Sequence, residues 1–380
     1  MRAALSNGRI LAGDGIVDGQ TLLIKGGRIE ALVAPSDPRC RDAVAEDLGG
    51  NILLPGFVDV QVNGGGGVLF NDLPSPRSIA AIGAAHRRYG TTGFLPTLIS
   101  DDLDVIARAI DAVQAALDAA VPGVLGIHIE GPFLNHARRG VHKAKHLRRL
   151  DTNLVSLLCR LRGGRIVVTL APEITTPEMI AELAGGGVIV SAGHSNASYA
   201  ETVTAIAHGL RGFTHLFNAM APLAPRAPGI VGAALYDPDT WCGIIVDGHH
   251  VDPVMLKLAL RCKRRERFML VTDAMPAVGS PEKSFVLQGR VIHVDGGVCR
   301  DERGTLAGTA LDMATAVSNA VKLLDLSLTD AARMASEYPA DFLGLGHELG
   351  RIAPGYRANL VLVDDKVRVQ RTWLDGACGS

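Results

Sequence analysis

The chain has 380 residues, and its 38 lysines and arginines nearly balance its 39 aspartates and glutamates, for a formal net charge of -1. This balance argues against the strongly basic surface that nucleic acids or acidic membranes would require, so we expect neither as a partner. Hydrophobic residues make up 47% of the chain and aromatic residues only 4%, which indicates a large and mainly aliphatic core.

The six cysteines are scattered and form no Cys-x-x-Cys pair. This spacing is typical of reduced thiols in a cytoplasmic protein, and not of a disulfide framework or a zinc finger. The opening stretch, MRAALSNGRILAGDG, lacks the long apolar region of a signal peptide. No apolar run approaches the roughly 20 residues of a membrane-spanning helix. We therefore expect a cytoplasmic location.

The two ends of the chain have similar β-like patterns. Near the N-terminus, TLLIKGGRIEALVAP at 21–35 consists of short apolar runs divided by a Gly-Gly turn, and GRIAPGYRANLVLVDDKVRVQRTWLDG at 350–376 has the same texture. We therefore predict one small β-sandwich domain built from both termini, residues 1–53 and 346–380.

Residues 54–345 alternate between strand-like and helix-like patterns. Eight strands are predicted, at ILLPGFVDVQVNG, TTGFLPTLIS, GVLGIHIEG, GRIVVTLAPE, GVIVSAGHS, GFTHLFNAM, WCGIIVDGHH and RFMLVTDAM. Eight alternations indicate an α/β fold of the (β/α)8 TIM-barrel type. The alternative is a doubly wound open sheet, but NGGGG at 63–67 has neither G-x-G-x-x-G nor P-loop spacing. The segment 219–238 is broken by Pro and Gly and is the poorest helix candidate.

Polar residues end several of these strands, where the active site of such a barrel lies. The stretch GIHIEGPFLN at 126–135 ends its alternating pattern on Glu130, and His194 and His215 end two other strands. One carboxylate and two imidazoles form a plausible set of ligands for a first-row divalent metal, with positions left open for water. A fourth polar residue, Asp273, follows the apolar run FMLV.

Most other histidines are better explained as structural hydrogen-bonding groups, because a single histidine after a strand usually has that role. We assign it to His128, which we place on the opposite face of its strand from Glu130, and to five others: His136, His146, His208, His293 and His347. The four residues Glu130, His194, His215 and Asp273 are a different case, because all of them end strands and together favour an active site.

At these residues the chain resembles N-acetylglucosamine-6-phosphate deacetylases of the amidohydrolase superfamily. The resemblance covers nearly the whole chain and depends on the motifs PGFVDVQVNG, TTGFLPTLI, GIHIEGPFLN, GVH, VTLAPE, VSAGHSNA, THLFNAM, CGIIVDGHHV, LVTDAM, GTLAG and YPA. It implies that Glu130, His194 and His215 bind the metal. It also implies that Asp273 is the catalytic base and acid, and that His142 polarises the substrate carbonyl.

The resemblance further implies a set of substrate contacts. Arg226 and His250 are expected to reach into the site of a neighbouring subunit of a homodimer, and residues 306–308 are expected to form a loop over the sugar. The full set is Gln61, Val141, His142, Asn218, Ala219, Arg226, His250, Leu306, Ala307 and Gly308.

The first predicted strand departs from the pattern of two-metal amidohydrolases. These enzymes carry His-x-His at its end, where this chain has Gln61-Val62-Asn63. Amides are poor transition-metal ligands beside imidazoles. We therefore expect one divalent cation per chain, which could be zinc, iron(II), cobalt or manganese. No lysine ends any of the eight predicted strands, which argues against a dihydroorotase-like site with a bridging lysine.

The expected activity is metal-dependent deacetylation of N-acetyl-D-glucosamine 6-phosphate to D-glucosamine 6-phosphate and acetate. The alternative substrate is another acetylated amino sugar, such as N-acetylgalactosamine 6-phosphate. These sugars differ in the orientation of the 4-hydroxyl group, for which the sequence offers no diagnostic residue.

Overall fold

The computed structural model describes residues 2–379. The N-terminal part consists of short strands joined by tight turns. These strands are β1 (Arg2–Ser6), β2 (Arg9–Ala12), β3 (Gly15–Val17), β4 (Thr21–Lys25), β5 (Arg28–Val33), β6 (Val44–Asp47) and β7 (Ile52–Pro55).

The central part alternates parallel strands with helices. In chain order it contains β8 (Phe57–Val62), the short pair β9 (Gly64–Gly65) and β10 (Val68–Leu69), α1 (Pro76–Arg87), β11 (Thr91–Ile99), α2 (Leu103–Asp118), β12 (Gly126–Glu130), α3 (Thr152–Leu158), β13 (Arg165–Leu170), α4 (Pro177–Gly185), β14 (Ile189–Ala192), α5 (Tyr199–Ala207), β15 (Leu210–Phe213), α6 (Gly229–Tyr236), β16 (Trp241–Ile244), α7 (Pro253–Cys262) and β17 (Phe268–Leu270).

An antiparallel sheet separates β17 from the next helix. It contains β18 (Ser284–Leu287), β19 (Arg290–Asp295), β20 (Val298–Asp301) and β21 (Leu306–Thr309). Residues 306–308, expected to form a loop, therefore belong to a strand, because β21 pairs with β20. The chain ends with α8 (Met313–Leu324), α9 (Leu328–Ala335), α10 (Glu337–Phe342), β22 (Leu360–Val363), β23 (Val369–Leu374) and β24 (Ala377–Gly379).

Eight parallel strands form the predicted barrel sheet. They pair in chain order from β8 through β11 to β17, and each is followed by one of the helices α1–α8. Residues of β8 and β11 are buried throughout, as expected for parallel strands that are covered by helices on one face and fill the barrel on the other. Just beyond the ends of β8 and β17, the N–H groups of Asn63 and Gly64 both donate to the carbonyl of Ala274, at 2.9 Å. The (β/α)8 prediction is confirmed.

Strands from both termini pair with each other, as the similar sequence patterns indicated. One sheet has the order β5-β4-β1-β6, and the other, β24-β23-β22-β7-β2-β3, joins the first residues to the last. Apolar side chains of both sheets share one core, which includes Leu5, Leu22, Leu53, Leu360 and Trp373. The exact division at residues 53/54 and 345/346 stays a prediction, since β7 crosses the first of these boundaries.

Most of the helices begin where the sequence supplies a capping side chain. Ser75 caps α1 and Ser198 caps α5, where Glu201 completes a capping box. The segment 219–238, expected to be a poor helix, is irregular in its first half but forms α6 in its second. Within residues 2–379, no helix combines the length and apolar character needed to cross a membrane.

Candidate active site

Three side chains from the ends of three barrel strands, β12, β14 and β15, meet at the carboxyl end of the barrel. The Oε1 atom of Glu130 lies 3.1 Å from Nε2 of His194 and 2.9 Å from Nε2 of His215. The two Nε2 atoms are 3.1 Å apart. All three residues are buried. The residues predicted as metal ligands therefore form one compact cluster.

The hydrogen bonds of this cluster fit a bound cation. Nδ1 of His194 lies 2.8 Å from the carbonyl oxygen of Arg138, which can only accept, so this nitrogen carries the ring proton. In the neutral ring, Nε2 of His194 is then a bare acceptor facing a carboxylate oxygen and a second imidazole nitrogen. A carboxylate oxygen and two imidazole nitrogens that converge in this way suit a divalent metal, whose histidine ligands commonly donate their other N–H to a carbonyl, as His194 does.

The electrostatics of the cluster also favour a cation. Burial alone would raise the pKa of Glu130, but the adjacent imidazoles of His194 and His215 outweigh burial and hold that pKa well below its usual value. Burial alone would lower the pKa of His215, but the hydrogen bond and charge of Glu130 raise it instead. The carboxylate thus stays ionised and gives the cluster a negative potential.

Asp273 lies next to this cluster and is held by amide side chains. Its Oδ1 accepts hydrogen bonds from Nε2 of Gln61, at 3.1 Å, and from Nδ2 of Asn63, at 2.6 Å. The same Gln61 nitrogen lies 3.2 Å from Oε2 of Glu130. Burial, reinforced by the charge of Glu130, raises the pKa of Asp273 to about 6. A carboxyl group with such a pKa can both accept and return a proton near neutral pH.

The backbone at three of these positions is left-handed. The φ angles are +48° at His194, +32° at His215 and +50° at Asp273. Residues other than glycine seldom adopt this conformation, which costs about 1–3 kcal/mol and is most common at functional sites. Each residue lies just beyond the end of its strand, and the turn directs its side chain into the mouth of the barrel. Tertiary hydrogen bonds fix the turns, for example from N–H of Thr309 to the carbonyl of Asp273 at 3.0 Å.

His142 lies in the loop after β12, with its ring centroid 4.6 Å from that of His194. It is buried, and burial together with the nearby histidines lowers its pKa to about 3. The imidazole is therefore neutral at physiological pH, and can donate a hydrogen bond without carrying a charge.

A cavity of about 500 Å³ opens above these residues. Within it, His250 is held by Asp247, whose Oδ2 lies 2.6 Å from Nδ1 of His250. Burial alone would raise the pKa of Asp247, but the hydrogen bond and charge of His250, together with the backbone N–H groups of His249 and His250, outweigh burial and lower that pKa to about 2. The cavity thus combines the three candidate metal ligands, a buried carboxyl group and two further imidazoles. Such a site can activate water against a carbonyl or phosphoryl group.

Comparison with known proteins narrows this chemistry. The model of the amidohydrolase family matches residues 52–378. The chain belongs to the amidohydrolase family.

Proteins similar in sequence and structure to this amidohydrolase are deacetylases of N-acetylated sugar phosphates. An N-acetylgalactosamine-6-phosphate deacetylase of Shewanella sp. (strain ANA-3) is 46% identical over 325 residues, which are 85% of this chain and 82% of the relative. An N-acetylglucosamine-6-phosphate deacetylase of Haemophilus influenzae is 34% identical over 99% of both chains. The crystal structure of N-acetylglucosamine-6-phosphate deacetylase from Pasteurella multocida superposes with a TM-score of 0.96, at 36% identity and over 100% of both chains. The resemblance inferred from the sequence is thereby confirmed.

Most of the predicted site residues of this amidohydrolase line one cavity. They are Glu130, Val141, His142, His194, His215, Asn218, Ala219, His250, Asp273, Leu306 and Gly308. Gln61 lies below them and contacts two carboxylates, while Ala307 is buried in a small apolar core beneath β21. His250 lies in the cavity of its own chain, so its position does not fit the expectation that it reaches into a neighbouring subunit. The roles of these residues stay predictions.

Arg226 does not line the cavity of its own chain. It lies at the exposed tip of a two-residue turn, where Ala224 and Ala227 exchange backbone hydrogen bonds of 3.2 and 3.1 Å. The tight turn explains the absence of a helix at this point, since α6 begins only at Gly229.

The prediction that His128 lies on the opposite face of its strand from Glu130 is wrong. Residues two apart in a strand point to the same side, so His128 shares a face with Glu130 and lies one layer deeper in the barrel. There its ring nitrogens contact the hydroxyl groups of Thr97 and Thr169, at 3.2 and 2.7 Å. Its assignment to a structural role does not depend on the face.

Several residues that line the cavity were missed by sequence reasoning. They are Ile99, Ala137, Arg138, Gly140, Ile245, Met275, Gly304 and Thr305. Arg138 could have been noticed, because a cation four residues before His142 lies on the same loop. The apolar residues gave no signal beyond their position near strand ends.

Proposed function

We propose that this amidohydrolase removes the acetyl group of N-acetyl-D-glucosamine 6-phosphate, yielding D-glucosamine 6-phosphate and acetate. The observation that carries the proposal is the cluster of Glu130, His194 and His215 beside buried Asp273 in one cavity. A divalent cation held by the three ligands would acidify a water molecule and polarise the amide carbonyl.

Asp273 has the geometry of a proton carrier in this reaction. Gln61 and Asn63 both donate to its Oδ1, which leaves Oδ2 to face the reacting groups. Asp273 takes a proton from water as the water oxygen bonds to the carbonyl carbon. It then gives this proton to the nitrogen as the carbon–nitrogen bond breaks. General acid–base groups of this kind contribute about 10²–10⁴-fold to the rate.

His142 supports the same step from the other side of the carbonyl. Because its ring is buried and neutral, it can donate an N–H to the oxygen on which negative charge develops. Removing one such donor typically costs about 3–4 kcal/mol in transition-state stabilisation.

We propose one divalent cation per chain, either zinc, iron(II), cobalt or manganese. In two-metal amidohydrolases, His-x-His on the first strand supplies imidazole nitrogens. Here Gln61 and Asn63 direct N–H groups at the carboxylates, and an N–H group repels a cation. This arrangement supports a site for one metal and opposes a second.

The sugar phosphate would lie between Asn218, Ala219 and His250 on one side and β21 on the other. A dianionic phosphate requires a cation, and Arg226 could hold it in a forked geometry. Since Arg226 lies outside its own cavity, we propose that it reaches the cavity of a second copy in a homodimer.

Exposed apolar side chains near Arg226 support this dimer. Leu223 precedes the turn and is 53% exposed, and Tyr236 at the end of α6 is 80% exposed. On α7, Val254, Met255 and Leu258 are also exposed. Helices α5, α6 and α7 are neighbours in the barrel wall, so these side chains lie on one side of the molecule. A second copy would bury them and bring two Arg226 turns towards two cavities by symmetry.

A second candidate substrate is N-acetyl-D-galactosamine 6-phosphate. The observation that favours it is the 46% identity to the Shewanella enzyme named for that sugar. The two sugars share the acetamide and phosphate groups, so the chemistry proposed for Asp273 and His142 applies to both. A cytoplasmic location is our prediction for either substrate, supported by six cysteines that are all free thiols.

Acetate release by the zinc-loaded protein tests the proposal. The two phosphorylated epimers and unphosphorylated N-acetylglucosamine should be compared side by side. We expect both phosphorylated sugars to be preferred over the neutral one, and kcat/KM to identify the better epimer. If neither phosphorylated sugar releases acetate with zinc, iron(II), cobalt or manganese, the proposed function is wrong.

A further inference from the structure

His142 is held by a residue to which no role has been assigned. Ser100 follows β11 directly and is only 1% exposed. Its backbone N–H donates to Nδ1 of His142 at 3.3 Å, and its hydroxyl oxygen lies 2.7 Å from the same nitrogen. Both contacts are made to one ring atom.

The backbone contact determines where the ring proton lies. An amide N–H can only donate, so Nδ1 of His142 must accept and cannot carry a hydrogen. In the neutral ring the proton is then on Nε2. The hydroxyl of Ser100 is much closer to this nitrogen, at 2.7 Å, than to its other acceptor, the carbonyl of Glu130 at 3.5 Å, so it donates to Nδ1 as well. The unprotonated Nδ1 of His142 therefore faces Ser100, and the Nε2–H is free to donate into the cavity that His142 lines.

Ser100 is fixed from two other sides. Its carbonyl accepts a hydrogen bond of 2.6 Å from Nε2 of Gln288, which lies between β18 and β19. Its hydroxyl packs against Gly131, where an added Cβ would come within 2.3 Å of Oγ. Gly131 follows the ligand Glu130, and its φ of +88° also favours glycine. The serine is thus held by the end of β12 and by the antiparallel sheet that follows β17.

We propose that Ser100 is a positioning residue that sets the tautomer and orientation of His142, so that the Nε2–H of His142 donates to the substrate carbonyl. The inference rests on the proposed function for the identity of the acceptor, but the tautomer itself is a property of the free protein. Ser100 contacts the ring and not the substrate. Its loss should therefore affect turnover more than substrate binding.

Nitrogen NMR of the zinc-loaded protein tests the tautomer without any substrate. With 15N-labelled histidine, and with the His142 signals identified by their loss in His142→Gln, we expect an unprotonated Nδ1 and a protonated Nε2. In Ser100→Ala the backbone donor remains but the hydroxyl is lost, so the Nδ1 signal should shift as one hydrogen bond disappears. Thr97→Val is the matched control, because it removes a hydroxyl bound to Nδ1 of His128. It should leave the His142 signals unchanged.

Kinetics separate a positioning role from a purely structural one. We expect Ser100→Ala to lower kcat about 10-fold with little change in KM. Complete loss of a donor to the oxyanion would lower kcat roughly 10²–10³-fold. The expected loss is smaller because the backbone N–H of residue 100 still orients the ring. Ser100→Cys, a weak donor of similar size, should lie between alanine and serine and serves if the alanine variant folds poorly. A protonated Nδ1 in the wild-type spectrum overturns the proposal. So does a Ser100→Ala protein in which the Nδ1 signal does not move. Absence of deacetylase activity with the expected spectrum would instead count against the proposed function alone.

Discussion

The side chain of Asp59 accepts hydrogen bonds from both the hydroxyl group and the backbone N–H of Thr272. These bonds join β8 to the residue that precedes Asp273, where the first and eighth strands of the barrel meet. Asp59 also accepts from N–H of Gln61, at 3.1 Å. The buried carboxyl group of Asp59 thus lies beneath both Asp273 and Gln61, whose side-chain amide donates to Asp273.

The position of Asp59 predicts a pH-dependent stability. Burial raises its pKa to about 7, even though its hydrogen bonds oppose the shift, against about 3.9 in an unfolded chain. Well below pH 4 the group is protonated in both states and has no effect. As the pH rises towards 7, only the unfolded state releases the proton, so stability falls by up to about 4 kcal/mol.

Asp59→Asn should therefore gain stability relative to wild type as the pH rises from 4.5 to 8. This gain should appear whatever the difference in stability between the two proteins at low pH. Urea unfolding midpoints at several pH values measure this difference. Asp14→Asn, whose side chain is fully exposed, is the control and should follow wild type at every pH. A constant difference between Asp59→Asn and wild type would show that Asp59 titrates normally in the folded protein.

Asp273→Asn should fold and retain its metal but lose most turnover. The asparagine keeps an oxygen that can accept from Gln61 and Asn63, so its position should be preserved. It cannot take a proton from water, which removes a contribution of about 10²–10⁴-fold. Steady-state kinetics, the melting temperature and the metal content should be measured together. Retention of more than about a tenth of the wild-type kcat would contradict the role of Asp273.

Metal analysis should find about one tightly bound divalent ion per chain. The amide N–H groups of Gln61 and Asn63 occupy the place of a second pair of ligands, and neither can bind a cation through its nitrogen. Protein loaded with zinc and then dialysed gives the stoichiometry by elemental analysis. His194→Ala is the matched control and should lose the ion. Two tight equivalents that are both required for activity would show that the amides rearrange to form a second site.

Much of the barrel could be predicted because its strands have local signals. Most of these strands are short runs rich in aliphatic residues, and a polar residue at the end marks the carboxyl edge of the sheet, as Glu130 does for β12. The antiparallel sheet β18–β21 was missed, although Gly296 and Gly297 between β19 and β20 are a turn signal. Its sequence was interpreted only through the motif at 306–308, and no strand was assigned there.

The geometry of the site could not be predicted from local patterns. The positive φ angles of His194, His215 and Asp273 oppose the intrinsic preferences of these residues, and hydrogen bonds to distant segments impose them. The link between Ser100 and His142 spans 42 residues and has no sequence motif of its own. Such contacts follow from the closed barrel, which brings all strand ends to one rim.

The exposed turn at Arg226 gives a test of the shared cavity. If each cavity takes Arg226 from the second copy, Arg226→Ala should raise KM for the phosphorylated sugar while leaving Asp273 and its neighbours intact. Mixing this chain with an Asp273→Asn chain should then restore activity. In a mixed dimer, the Arg226→Ala chain keeps its own Asp273 and receives an intact Arg226, while the opposite cavity lacks both. Random exchange makes half of the dimers mixed, each with one complete cavity, so about a quarter of all cavities should work.

The matched control for this experiment is a chain that carries both Arg226→Ala and Asp273→Asn. Mixed with Arg226→Ala, it can supply neither group, so activity should not rise. Differently tagged chains must be used to confirm that subunits exchange, since dimers that do not mix cannot complement each other. Exchange without recovery of activity would mean that Arg226 does not complete a neighbouring cavity. The phosphate would then need another cation. Arg138 would be the next residue to substitute, because it lines the cavity of its own chain, where its Nε donates a hydrogen bond of 2.6 Å to Oδ1 of Asn196.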